Sequence, residues 1–143
     1  MRILATKLLF ITVLYYMLSF NVQAQKLQAV QIYKDDQLLS LIRKNIHLSR
    51  VVLDDCQLVQ DIEARAVISN KPAFQFLWGD MLAFGVCVKK DIKLGLYYMR
   101  LSADQGLVES LEQLGRYYHV GKFMQKDTDK AIIFLKEAAA LNN

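Results

Sequence analysis

An all-α fold is what this sequence predicts: a short α-solenoid of two helix–turn–helix repeats behind a small, mostly helical N-terminal module. Three observations predict it. The chain repeats itself at an interval of 36 residues, from GVCVKKD at 85–91 to GKFMQKD at 121–127. Apolar residues recur at helical spacing within each copy. Glycine and aspartate stand at matching places between those stripes, where one helix ends and the next begins.

The first element is a leader. Arg2 and Lys7 precede an apolar run from Leu8 to Val22, and Val22-Gln23-Ala24 places small or modest residues at the −3 and −1 positions of a cleavage site. A secretory signal peptide is therefore expected over residues 1–24. A membrane anchor is the rival reading, but a span takes about 20 apolar residues, and this run is shorter and has no basic flank behind it. The remaining ~119 residues are the length of one domain. Without Arg2 and Lys7, the 18 basic residues fall to 16 against 14 acidic ones, so the exported part is only mildly positive. Basic residues are scattered, with Lys89, Lys90 and Lys93 the densest group, and no aromatic residues are interleaved as a stacking platform. No nucleic acid is expected as a partner.

The second element is a module over residues 25–71. Asp54 is expected to cap a helix in which Gln57 takes the capping-box position and which runs through Val59, Ile62, Glu63 and Ala66. Cys56 lies here and Cys87 lies in the first repeat's loop; they are the two cysteines of the chain. In an oxidising compartment such a pair is expected to bond, adding about 3–4 kcal/mol in the chain-entropy model; the alternative is two buried thiols acting as small hydrophobes. A bond would clamp the module to the repeats and would explain why one copy alone holds a cysteine.

The third and fourth elements are the repeats, 72–107 and 108–143. A shift of 36 places Gly79 on Gly115, Gly85 on Gly121, Lys90 on Lys126, Asp91 on Asp127 and Ala103 on Ala139. In the first copy Phe74, Leu77, Trp78, Met81 and Leu82 form one stripe, which Gly85 ends. Asp91 caps a second helix, expected to bury Leu94, Tyr97, Tyr98 and Leu101 and to stop at Gly106. The second copy repeats the plan with Leu111, Leu114 and Tyr118, then Gly121 and Asp127, then Ala131, Phe134, Leu135, Ala138 and Ala139. Glycine within a helix costs about 1 kcal/mol relative to alanine, so Gly79 and Gly115 imply a close approach of the paired backbone, with Ala138-Ala139 as the small surface opposite. No repeat of this kind buries its apolar face alone.

The pattern Leu114-Gly115-x-x-Tyr118-x-x-Gly121, then Asp127, Ala131 and Ala138-Ala139, resembles the Sel-one-like repeat, a relative of the tetratricopeptide repeat. The first copy departs from it at Leu82, Gly95 and Ser102. A narrower resemblance covers residues 30–143: VQIYKDDQLLSLI, DDCQLVQDIEARA, FQFLWGDMLAFGVCV and LEQLGRYY, in that order behind a leader, are similar to the MotX family of sodium-driven polar flagellar motors. That resemblance implies a non-enzymatic periplasmic protein of the flagellar basal body. With MotY it would form a ring and recruit or hold the stator units of PomA and PomB, PomB being the contact. Asp54, Asp55, Gln57, Leu58, Val59 and Gln60 are the candidate docking segment, with a cap for the open end of the solenoid as the equal alternative. A general periplasmic repeat adaptor is the second reading of the whole chain.

Chemistry finds no foothold in the sequence. His47 and His119 lack metal-ligand spacing with each other or with the cysteines. No nucleophile elbow, phosphate loop, zinc-protease motif or serine three residues before a lysine is present. Asp54, Asp55, Asp61 and Glu63 do not share one helix face and read as a solvated surface. No cofactor, metal or small-molecule substrate is expected. The last repeat closes at Asn142, the match of Gly106, with no polar cap over its apolar face. Relatives of the MotX type continue further, which implies a chain cut short, and the uncovered face predicts self-association.

Overall fold

The computed structural model describes residues 32–142; the expected leader, 1–24, lies outside them. Among the described residues there are seven helices and no strands: α1 Asp35–Arg43, α2 His47–Leu53, α3 Val59–Val67, α4 Pro72–Phe84, α5 Ile92–Asp104, α6 Val108–Val120 and α7 Thr128–Leu141. Helices α4 and α5 form one hairpin and α6 and α7 another, while α1, α2 and α3 pack on α4, and α6 packs on α5. No helix among the described residues is long and apolar enough to cross a membrane.

The recurring glycine and aspartate answer to one loop geometry used twice. Gly85 and Gly121 end α4 and α6 in the left-handed region, at φ of 74° and 73°. Their N–H groups donate to Met81 O and Tyr117 O at 2.8 and 2.9 Å. Six residues on from each glycine the chain turns back: the N–H of Asp91 donates to Leu82 O and that of Asp127 to Tyr118 O, both at 2.9 Å. Each aspartate then accepts from the third residue of the following helix, Leu94 N at 2.9 Å and Lys130 N at 3.0 Å. A carboxylate there satisfies an amide that the helix leaves unpaired.

At the tip of each loop a non-glycine residue also takes a left-handed conformation, Cys87 at φ 60° and Phe123 at φ 64°. These two positions are 36 residues apart, and each reaches back to the unit before it. Cys87 is disulfide-bonded to Cys56, with Cα atoms 5.6 Å apart. Phe123 packs edge-on to Phe84 of the first repeat, ring centroids 5.0 Å apart, and to Tyr117 at 5.3 Å.

The module is built differently from the expectation. Asp54 follows α2 as its C-cap instead of opening α3, whose N-cap is Leu58. Two causes are visible. Asp55 and Cys56, at φ 51° and 59°, break the helical path after Asp54. The Asp54 carboxylate is meanwhile occupied: Tyr33 Oη donates to it at 2.5 Å and Arg50 Nε at 3.0 Å. Asp54 is thus interior, not part of a solvated acidic surface. Cys56 sits in this turn and not on a helix.

Helix α4 is buried from Ala73 through Ala83, because α1, α2, α3 and α5 pack around it. Its crossing with α5 is backbone on backbone. A Cβ at Gly79 would lie 2.7 Å from Gly95 O, and a Cβ at Gly95 would lie 2.5 Å from Gly79 O and 2.8 Å from Ala83 N. Gly95, read from sequence as a departure from the repeat pattern, is therefore the partner of Gly79. In the second hairpin Gly115 faces the Leu135 side chain, 2.7 Å from its Cγ to a built Cβ, and Ala131 O at 3.3 Å. The small surface opposite is formed at Gly95 and Ala131, not at Ala138-Ala139; Ala138 is buried elsewhere and Ala139 is exposed.

That crossing fixes the rotation of α5, and it corrects the expected stripe. Gly95, Leu96, Met99, Ser102 and Ala103 face inward. Leu94 and Tyr97 are exposed, and Tyr98 and Leu101 are half-buried, because their side of the helix points away from Gly79. In α6 the deepest aromatic is Tyr117; Tyr118 is half-buried and stacks on Phe134 at 5.6 Å. Leu135, expected in the core, is 40% exposed.

Alanine at position 95 tests the crossing. In an isolated helix Gly95→Ala would gain about 1 kcal/mol, but here the methyl meets the backbone of Gly79 and Ala83. A net loss of about 1–3 kcal/mol, the usual cost of overpacking, is expected in urea unfolding. A stabilised variant would show that α4 and α5 are not in backbone contact.

Candidate functional site

Helix α4 carries one acid, Asp80, in the apolar stretch LWGDMLAF. With no solvent face available, its carboxylate is met from two sides: His47 Nε2 at the start of α2 lies 2.8 Å from Oδ2, and Tyr117 Oη of α6 donates to Oδ1 at 3.0 Å. All three residues are buried. A carboxylate only accepts, so Nε2 carries a proton toward Oδ2, while the buried Nδ1 has no partner among the described residues. Phe76 meets the imidazole edge-on at 5.4 Å.

Above this buried knot lies a groove of about 950 Å³, bounded by the end of α1, the α1–α2 turn and α6, with His47 and Phe76 among its lining. Arg43 of α1 reaches across to Glu109 of α6, Nε to Oε1 2.6 Å. Arg116 donates to Gln113 Oε1 at 2.8 Å and stands 3.7 Å from Glu112. The groove therefore offers charged and amide groups of both signs on a helical frame, a surface that can hydrogen-bond a polypeptide. Asp80 is enclosed by its partners, so the knot serves to position helices.

A second knot, Tyr33–Asp54–Arg50, ties the start of the described chain to the α2–α3 turn. A smaller hollow of about 430 Å³ adjoins it, lined by Tyr33, Asp36, Gln37, Ser40, Leu41 and Arg50. A third polar contact joins the repeats: Ser102 Oγ donates to Pro72 O at 2.7 Å and lies 2.6 Å from Ser110 Oγ.

The expected docking segment divides. Asp54 and Leu58 are buried and cannot meet a partner, Val59 is half-buried, and Asp55, Gln57 and Gln60 are exposed. None of the six lines the groove. The knot residues His47, Asp80, Tyr117 and Tyr33 were not singled out from sequence as acting together. Asp80 left a signal, an acid inside a thirteen-residue helix that is apolar but for it and Gln75, which must be paired if that helix is buried.

Both buried phenols are pushed well above the ordinary tyrosine range. For Tyr117 the main cause is burial, followed by the charge of Asp80; for Tyr33 it is burial, followed by the hydrogen bond to Asp54. A phenol with a raised folded-state pKa binds its proton more tightly when folded. Its contribution is therefore complete below about pH 10 and is lost as pH rises above that value. Alkaline titration followed by tyrosinate absorbance and circular dichroism should show two phenols ionising together with unfolding. Tyr117→Phe, which leaves Asp80 one donor short, should cost about 1–3 kcal/mol at neutral pH and lessen the alkaline fall. Free ionisation of all tyrosines in the folded chain would contradict both knots.

The Sel1 repeat pattern matches residues 72–107 and 108–143. Over 89 residues the sequence is 60% identical to the sodium-type polar flagellar protein MotX of Vibrio parahaemolyticus, a match covering 62% of this chain and 42% of that protein. The chain thus matches less than half the length of that relative. A Sel1 repeat protein from Oxalobacter formigenes, known from its crystal structure, is 20% identical with a TM-score of 0.49, over 78% of this chain and 97% of that one. Matched in tandem over half of its residues, this chain belongs to the Sel1 repeat family.

Proposed function

We propose that this chain is a component of a sodium-driven polar flagellar motor, acting without catalysis as a periplasmic docking part. One observation carries the reading: 60% identity over 89 residues to a protein named for that motor. The leader-like residues 1–24 support export, and the Cys56–Cys87 bond suits an oxidising compartment. In this proposal the chain sits at the basal body with MotY and helps hold stator units through PomB. The groove between α1 and α6 is one docking surface. The exposed side chains of the α2–α3 turn and the start of α3, Asp55, Gln57 and Gln60, are another, held in place by the neighbouring disulfide.

Deletion of the gene, followed by filament counts and swimming assays, tests the function. Complete filaments that do not turn, restored by the gene in trans, are expected; normal swimming would remove the motor reading and leave a general envelope adaptor. The double variant Gln57→Arg, Gln60→Arg alters exposed positions outside the left-handed residues of the turn, so its fold should be intact. Capture of MotY or PomB should fall by about tenfold or more if that turn is an anchor of the contact. Unchanged capture would confine docking to the groove.

A further inference from the structure

The two inter-helix loops meet at one aromatic contact, and lysines gather on it. Lys122 of the second loop holds its ammonium over the Phe84 ring of the first repeat, 4.4 Å from the centroid, and 5.4 Å from that of Phe123. Lys90 of the first loop reaches the same Phe123 ring at 5.9 Å. Each distance is within the range of a cation–π contact, so two ammoniums from different repeats share one ring. Lys89 and Lys126 stand on the same loops, and all four lysines are exposed. Lys90 and Lys126 are matched in the repeat, each with its Cβ packed on a turn glycine: a Cβ built at Gly85 would lie 3.0 Å from the first, and one built at Gly121 3.2 Å from the second.

No carboxylate answers these charges. The loop stretches 85–91 and 121–127 hold the four lysines against Asp91 and Asp127, and both aspartates are engaged in capping the next helix. Asp127 also pairs with Lys130 at 3.2 Å. The flanking Lys93 and Asp129, one of each sign, leave the balance unchanged. No ion pair among the described residues involves any of the four. Like charges held on one ring without a counter-charge repel each other, and an anion seated beside them relieves that cost.

We infer that the paired loops are a docking surface for an acidic segment of a partner polypeptide. Carboxylates spaced along such a segment fit ammoniums whose stems are fixed in successive repeats. A bilayer fits less well, because binding to one also draws on apolar side chains that enter it. At these tips Cys87 is disulfide-bonded, and Val88, Phe123 and Met124 pack against the core. Single-stranded nucleic acid needs an open ring on which to stack, whereas Phe84 and Phe123 are set edge-on to each other beneath lysine. The inference rests on the loops alone and does not depend on the motor reading.

Anisotropy of a fluorescein-labelled oligoglutamate, titrated with the purified chain at about 0.15 M salt, tests it; the Debye length there is about 8 Å. Saturable binding that weakens as salt is raised is expected. Lys90→Glu and Lys122→Glu should each lower the affinity about tenfold, with the circular dichroism spectrum unchanged. Lys44→Glu makes the same change of charge next to Asn45, which lines the groove with Gly106 at the other end of α5, a thirteen-residue helix about 20 Å long. That variant should bind within about twofold of the original chain, since so distant a charge is screened. No binding, or binding that Lys44→Glu weakens as much as the loop variants, would overturn the inference. So would phosphatidylglycerol vesicles that bind through Lys90 and Lys122 when oligoglutamate does not, because the loops would then serve a lipid surface.

Discussion

A carboxylate in the middle of a helix with no solvent face must find its partners inside the protein, and Asp80 finds them on two sides. His47 arrives from the module and Tyr117 from the second repeat, 33 and 37 residues away in sequence. The apolar contacts of α4 would tolerate small rotations of its neighbours at modest cost. A buried carboxylate does not, because losing one partner leaves an acceptor unpaired away from water, at a cost of about 1–3 kcal/mol. The knot thereby registers three separate segments at one side chain.

Around that fixed point the units are joined by a device the repeat reuses. The tip of each inter-helix loop is left-handed, at Cys87 and again at Phe123, and projects toward the preceding unit. The first tip makes a covalent bond to Cys56, and the second inserts a ring between Phe84 and Tyr117. Backbone geometry is thus conserved between the copies while the anchoring chemistry changes with the neighbour. The neighbour of the first tip is Cys56 in the α2–α3 turn, so a disulfide stands there where the second tip has its contact with Phe84.

What could be read from the sequence was what the backbone decides locally. The helix stops at Gly85 and Gly121 and the caps at Asp91 and Asp127 are set within a few residues, and their recurrence gave the fold class. What depended on distant groups could not be read. Asp54 has every local mark of an N-cap, but Tyr33, 21 residues earlier, and Arg50 occupy its carboxylate. The large side chains of α5, Leu94 and Tyr97, suggest a buried stripe, yet the closest contact on that helix is made by a residue with no side chain, Gly95. Burial size was a poor guide there because backbone proximity, not side-chain volume, set the rotation. The candidate site was less legible still, since the groove draws on α1, α2, α4 and α6, and no local pattern links them.

The same contrast between fixed and replaceable contacts bears on how the groove works. Its floor is held by buried hydrogen bonds, which are costly to break. Its walls are bridged by Arg43 and Glu109, with the arginine side chain 67% exposed. The glutamate side chain is only 12% exposed and stays in the wall, so a ligand carrying a positive charge can replace the exposed arginine while Glu109 remains paired. The groove can therefore exchange its surface contacts for those of a bound polypeptide while the helices beneath keep their positions. That is the property a docking frame needs, and the sequence supplies it by keeping the knot inside and the ion pair at the rim.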